Sequence, residues 1–303
     1  MTSLTNNVVA AAKRGFLDSI SFHRAVVVIV RSPKVRSKLV QCLLLNGLIF
    51  LGSILVFHWI LGPVLSRIIT TVLPQRNAAP EIGSIISLWV SWVYYSLWIA
   101  PLYIMTFILN TLWYRDIAVE SVEFFSRHAA TSSSTPSAQS GAQASIPGQI
   151  ADILLRSLFN VVYLCYLTVL ARYRILYAVS LAFLISFNAF EFKYRNLSFN
   201  QKVNLVESNW IYFLSFSIWV AVLVTEFPTM IENGLLGVLF PFLLINASSA
   251  GPPVPVAVPA DTLSRLTLGW LTKFRVFFIV EKLTDAVVFI IYNVSKKRNR
   301  IVN

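Results

Sequence analysis

The sequence predicts an all-α, polytopic membrane protein, and three observations lead to that fold class. Of its 303 residues, 56% are hydrophobic and only 13% are charged. The mean hydropathy is +0.70, well above the range of a soluble domain. Apolar runs of helical length recur along the chain, and helices satisfy their own backbone hydrogen bonds inside a bilayer. We therefore treat 1–303 as a single membrane domain.

The net charge of +12 indicates which partners to expect. Basic residues diluted in so apolar a chain suit the anionic headgroups of a lipid bilayer better than nucleic acid. We expect no nucleic-acid partner. The composition also excludes a disordered chain and an ordinary cytosolic enzyme.

The amino-terminal segment, 3–30, is predicted to form an amphipathic helix at the membrane surface. The apolar residues Val8, Ala12, Phe16 and Ile20 recur at every fourth position, and charged residues lie between them.

Two transmembrane helices are predicted next, since about 20 apolar residues cross a bilayer core of about 30 Å. The first, 39–61, has no formal charge and ends where Gly62 and Pro63 interrupt the run. The second, 82–113, is longer than a single crossing needs, and Pro101 inside it is expected to bend the helix.

A linker and two hairpins follow. The segment 131–148 is rich in Ser, Ala, Gln and Gly, which is typical of a flexible linker. Two apolar runs in 153–192 are joined by Arg172-Tyr173-Arg174, and two shorter runs make up 211–247. Each pair is predicted to be a helical hairpin that either crosses the bilayer fully or dips into it and returns.

The carboxyl-terminal segment, 262–294, combines apolar residues at helical spacing with six charged residues. Because these charges make a lone crossing unfavourable, we expect an interfacial helix. Basic residues crowd the start of 39–61 and the end of the chain, so the positive-inside rule predicts that both termini are cytosolic.

Motifs for soluble-type catalysis are missing from the sequence. It has no HExxH, CxxC or GxSxG pattern and no phosphate-binding glycine loop. We expect no catalytic residues, no metal ligands and no cofactor, and therefore a protein that is not an enzyme.

Polar residues at membrane depth or at its interface are functional candidates, because burying them in lipid is unfavourable. Five residues meet this description: Asn46, Asp116, Glu191, Glu226 and Glu232.

Each candidate also has a structural interpretation. Asn46 suits an interhelical hydrogen bond, and Asp116 suits an ion pair or cap at the interface. Glu191 is either a helix-end residue paired with a base or part of a gate. Glu226 and Glu232 either face the lumen or a buried polar partner, or line a pathway.

Several fragments, taken in order, resemble a known family. Those in the amino-terminal half include Arg14-Gly15, Asp18-Ser19, Gln41, Asn46-Gly47, Pro63, Pro101, Asn110, Trp113 and Asp116. Those in the carboxyl-terminal half include Glu191, Tyr194-Arg195, Glu207, Asn209-Trp210, Pro241 and Asn246. On these residues the chain resembles the etoposide-induced membrane proteins of the endoplasmic reticulum, which share a superfamily with the bacterial CysZ-type sulfate permeases.

The resemblance implies a multi-pass protein of the endoplasmic reticulum that acts in autophagosome formation or maturation. Two functions remain open. The first is a membrane organiser or tether that works with proteins of the autophagy machinery. The second is a CysZ-like anion permease or channel with sulfate as its substrate. A homo-oligomer is compatible with either.

Overall fold

The structure is a computed structural model of the chain, and it describes residues 2–72, 79–132, 146–253 and 273–289. Within these ranges the secondary structure is helical, without a β-strand. The all-α prediction is therefore confirmed.

The amino-terminal segment forms two helices where one was predicted. α1 is Thr2–Ser19 and α2 is Phe22–Arg31. Between them Ser21 Oγ donates to the carbonyl of Leu17, and the Phe22 amide donates to that of Ile20 at 2.7 Å. A serine that bonds to nearby backbone competes with helix continuation, which explains the break.

Two long helices follow. α3 starts at Pro33, with Ser32 as its cap, and comprises Pro33–Leu43, Leu44–Leu51, Gly52–Val56, Phe57–Leu61 and Gly62–Val72. α4 comprises Ala79–Tyr94, Tyr95–Ile99 and Ala100–Ser132. The parts Leu44–Leu51, Phe57–Leu61 and Tyr95–Ile99 are π-helical. We call α3 and α4 the long-helix pair.

Pro101 lies inside α4, two residues after a π-helical turn. Proline lacks the amide hydrogen of a regular helix, and a widened turn accommodates that loss. The helix thus continues through Pro101. Both long helices extend beyond the predicted 39–61 and 82–113.

Five helices within the described residues 146–249 form what we call the helical body. They are α5 (Ile146–Leu170), α6 (Arg174–Phe190), α7 (Phe199–Ser208), α8 (Trp210–Thr225) and α9 (Thr229–Ser249). α7 and α8 meet at an angle of 87°. Of the predicted linker, 133–145 lies outside the described residues, whereas its ends belong to α4 and α5.

Three helices among the described residues are long and apolar enough to cross a membrane: Pro33–Ile68, Leu88–His128 and Thr229–Ser249. The bent pair α7–α8 would count as a fourth if it forms one broken span. The apolar part of α5 and the whole of α6 are shorter.

The core of the helical body is aromatic and lies where α5, α6 and α8 meet, around Phe159, Phe187 and Phe216. α6 and α8 approach closely because small residues face each other. Ser186 Oγ lies 2.7 Å from Ser217 Oγ. Small residues and interhelical hydroxyl bonds are typical of helix packing in membranes.

The described part of the tail packs on this body. Residues 273–277 are not helical, and a helix follows at 278–289 (α10), so the predicted helix over 262–294 is interrupted. Glu207 explains the interruption, since its carbonyl accepts from the Phe274 amide at 3.1 Å and its carboxylate from the Phe277 amide at 3.3 Å. The parts 262–272 and 290–294 lie outside the described residues.

Candidate functional site

Asn46 and Asn110 form an amide pair between α3 and α4. Each Nδ2 donates to the Oδ1 of the other, at 2.8 and 2.9 Å. Asn46 also donates to the carbonyl of Cys42 and is only 2% exposed. A buried amide without partners is unfavourable, so this reciprocal pair holds the two helices in one register.

The helix α9 packs against the amide pair at Gly237. A Cβ atom at position 237 would lie 2.5 Å from Oδ1 of Asn46, so only glycine allows this approach. Tyr114 donates its hydroxyl to the Gly237 carbonyl at 3.0 Å. That carbonyl is available because Pro241, four residues later, has no amide hydrogen to donate to it.

The acidic candidates of the last hairpin contact the start of α6. Glu232 is buried and accepts a hydrogen bond from the Tyr177 hydroxyl at 2.6 Å. Glu226 is exposed and pairs with Arg174. The turn between α8 and α9 is therefore joined to α6 by two polar contacts.

Glu191 lies just after α6 and forms an ion pair with Arg156 of α5. Both side chains are largely shielded from solvent, with 24% of Arg156 and 13% of Glu191 exposed. This pair ties the two ends of the first hairpin together. Its geometry agrees with the interpretation of Glu191 as a helix-end residue paired with a base.

Asp116 lies on α4 and pairs with Lys38 of α3, with 3.5 Å between Nζ and Oδ2. Both line a cleft of about 750 Å³ between the ends of the long helices. Lys34 spans the same cleft and lies 3.6 Å from Glu120. The cleft therefore contains acidic and basic side chains that form ion pairs with each other.

The motif residues differ in burial. Trp113 and Pro241 pack inward, and Gly47 lies against Val238 of α9. Gln41, Pro63 and Pro101 are exposed.

Asn209 and Trp210 lie at the sharp bend between α7 and α8. Asn209 donates to the carbonyl of Leu205 at 2.9 Å, and its buried Oδ1 has no hydrogen-bond partner among the described residues. The Trp210 ring packs against Phe274 of the tail at 5.3 Å between centroids.

A further cluster joins the amino-terminal helices to the body. Asp18 accepts from Arg24 at 3.2 Å and from the Tyr212 hydroxyl at 2.9 Å, and Arg14 lies 4.0 Å away. Lys193 of the loop after α6 is close enough to interact with the same carboxylate. We call these five residues the Asp18 cluster.

The end of α1 is held tightly against α8 and α9. A Cβ at Gly15 would overlap the backbone carbonyl of Tyr212. The Ser19 carbonyl accepts from the Asn246 amide group and the Ser19 hydroxyl from the Trp219 indole, both at 2.6 Å. These contacts explain why small residues occupy positions 15 and 19.

Residues 21–227 match the protein family described as "Sulfate transporter CysZ/Etoposide-induced protein 2.4". The chain belongs to this family. The match covers the long-helix pair, the first hairpin and the bent pair α7–α8, whereas α1 and α9 lie outside it.

Two curated relatives of this CysZ/etoposide-induced family member extend the likeness. A protein from Arabidopsis thaliana named "Protein EI24 homolog" is 28% identical over 309 residues, covering 94% of this chain and 95% of its own. Another "Protein EI24 homolog", from Dictyostelium discoideum, is 26% identical over 244 residues, covering 78% and 73%. No solved structure matches the chain.

Several hydrogen-bond and ion-pair partners were not predicted, because they are distant in the sequence from the residues they contact. Tyr177, Arg156 and Tyr114 are examples. A polar residue within an otherwise apolar helix was the available signal for Arg156, as it was for Asn46. No group of three or more His, Cys, Asp or Glu side chains suited to a metal ion occurs within the described ranges.

Proposed function

We propose that this protein is a non-enzymatic organiser or tether of the endoplasmic-reticulum membrane that acts in autophagosome formation or maturation. Its family and its two relatives named as EI24 homologues support this role. The proposed partners are anionic lipid headgroups and proteins of the autophagy machinery, with no nucleic acid involved. Self-association is compatible with this role.

One structural observation carries the choice of an organiser. The buried polar groups first considered as functional candidates bond to side chains on other helices, as Asn46 does to Asn110 and Glu232 to Tyr177. Groups committed in this way hold helices together and are not free to bind a passing ion. A fixed arrangement of helices is what a membrane organiser requires.

The proposed topology places both termini in the cytosol. Basic residues before α3 and at the chain end support it, because they are retained on the cytosolic side. Protease treatment of sealed microsomes checks it, since a tag at either terminus is expected to be digested without detergent.

A CysZ-like anion permease is the second candidate, and the bend at Asn209 favours it. A sharply broken helix resembles the irregular backbone that lines solute pathways. The family description also includes sulfate transport.

The two functions are separated by measuring both in parallel. The gene is disrupted in its own host cell, and degradation of long-lived proteins is followed under starvation. We expect the loss of this degradation and its recovery with the wild-type gene. Purified protein in liposomes is then expected to take up no more labelled sulfate than empty liposomes. Normal degradation in the disrupted cells, together with saturable sulfate uptake, would favour the permease.

A further inference from the structure

The Asp18 cluster contains more positive than negative charge. Arg14, Arg24 and Lys193 supply three cations, and Asp18 is the acidic side chain that they share. One carboxylate does not neutralise three bases. Because charge in a partly buried site is poorly screened, the excess attracts an anion.

Lys193 and Arg14 converge on the same short segment after α9. The Lys193 ammonium donates to the Ala250 carbonyl, and the Arg14 guanidinium lies so close to Gly251 that a Cβ there would overlap it. Burial lowers the pKa of Lys193 to about 8, although Asp18 opposes this and both arginines add to it. Burial therefore disfavours the charged Lys193 ammonium, and Asp18 offsets only part of this effect.

The same place contains an unused hydrogen-bond donor. The hydroxyl of Tyr194 is buried and has no hydrogen-bond partner among the described residues. It lies near Arg14, which lowers its pKa, while burial has the larger effect and raises it to about 12. Buried hydroxyls normally have partners, so this one indicates an acceptor that the described part of the chain does not supply.

The position of the cluster indicates where the acceptor comes from. On α1 and α2 apolar side chains face outward, including Phe16, Phe22 and Val26, which are 42%, 46% and 55% exposed. Outward apolar faces on amphipathic helices lie at the level of lipid headgroups. The cluster is at the end of α1, beside these faces.

We propose that the Asp18 cluster binds a phosphate monoester carried by the headgroup of a membrane lipid. A phosphate monoester carries close to two negative charges and three acceptor oxygens. It would match the charge excess, accept charge-assisted bonds from Arg14 and Lys193, and supply the missing partner of the Tyr194 hydroxyl. Asp18 pairs with both arginines and so keeps them in place.

The test uses the full-length protein in a neutral detergent. Its thermal unfolding is followed while a short-chain phosphatidylinositol monophosphate is added, because a ligand that binds the folded state raises the unfolding temperature. Inorganic phosphate and a short-chain phosphatidylcholine are titrated in parallel. We expect a saturable rise with the phosphorylated lipid and none with phosphatidylcholine, which has only a phosphodiester.

Variants localise the effect to the cluster. Lys193→Gln is expected to weaken the apparent affinity about tenfold, and Tyr194→Phe to weaken it by a similar factor. Tyr194→Phe without lipid is expected to be as stable as the wild type, because it removes an unsatisfied group. Arg195→Gln, two residues away and exposed, loses the same charge and serves as the matched control.

The outcomes divide clearly. Equal stabilisation by inorganic phosphate would support a phosphate site that takes the free ion. Stabilisation by the lipid alone would support the headgroup. If the phosphorylated lipid has no effect, or if its effect survives in both Lys193→Gln and Tyr194→Phe, the proposed site is wrong.

Discussion

The helical body and the long-helix pair cover their apolar side chains in different ways. In the body Phe159, Phe213 and Phe216 are fully buried against neighbouring helices. In α4 only 17% of an apolar 18-residue stretch within Leu88–His128 is buried, and Trp89 and Trp92 are 61% and 62% exposed. The body thus contains a packed protein core, whereas the long-helix pair leaves its surface to lipid.

This difference indicates what holds each region together. Lipid tails are as apolar as leucine, so exposed side chains of α3 and α4 gain little by meeting each other. Specific contacts therefore contribute to the pairing, among them Asn46 with Asn110, Tyr94 with the Ser53 carbonyl at 2.7 Å, and the stacked rings of Phe57 and Tyr94. The body depends on aromatic packing instead.

The largest effect is expected from Phe159→Ala in the body. The ring contacts Tyr163, Phe187 and Phe277, so its loss leaves a cavity, and we expect the free energy of unfolding to fall by about 3–5 kcal/mol. Trp89→Ala removes an even larger ring from α4, with an expected change within about 0.5 kcal/mol. Unfolding titrations in mixed micelles measure both changes. An equal loss of unfolding free energy in the two variants would mean that the two regions do not differ in this way.

The amide pair is expected to give the next largest effect. Asn110→Leu strands the buried Asn46 amide and should lower the free energy of unfolding by about 1–2 kcal/mol. Adding Asn46→Leu removes the stranded group, so the double variant should recover part of that loss. A strictly additive double-mutant cycle would mean that the two amides do not depend on each other.

Pro241 sharpens the comparison where α9 meets the long-helix pair. Tyr114→Phe should lower the free energy of unfolding by about 1 kcal/mol, because the Gly237 carbonyl loses its hydroxyl partner. In a Pro241→Ala background the same change should leave the free energy of unfolding almost unchanged, since the new amide at position 241 can donate a hydrogen bond to the Gly237 carbonyl. The coupling between the two substitutions is read from four unfolding free energies.

Glu226→Gln is expected to have the smallest effect. Its ion pair with Arg174 is exposed on both sides, at 61% for Arg174 and 53% for Glu226. Exposed pairs contribute about 0–1 kcal/mol, and salt screens them. Unfolding of wild type and variant at low and high salt checks this, and a loss above about 2 kcal/mol would show that the α8–α9 turn lies in a drier environment than its exposure indicates.

The sequence predicted the helices better than their boundaries. Hydropathy located the apolar parts of α3, α4 and the helical body, because burial in lipid requires long apolar runs. It missed the break at Ser21, where a local side-chain bond competes with the helix. It also missed the non-helical stretch 273–277, which depends on a contact with the distant Glu207.

The candidate residues show the same limit. Asn46, Glu191 and Glu232 stood out because polar groups are rare in apolar helices. Their pairings did not, since Asn110 lies 64 residues from Asn46, and Tyr177 lies 55 residues from Glu232. The Asp18 cluster depends on α1, the loop after α6 and α8 coming together.

The sequence by itself determined that this is a helical membrane protein of a known family, with a basic surface and polar residues placed inside apolar helices. The family follows from sequence motifs that recur in order along the chain, and the other properties follow from composition and from spacing along a single helix. The tertiary structure alone decided which polar groups are satisfied by each other and which, such as the Tyr194 hydroxyl, have no hydrogen-bond partner among the described residues. The physical reason is that hydropathy acts on each segment separately, whereas a hydrogen bond or ion pair needs two groups that only the packed helices bring within about 3 Å.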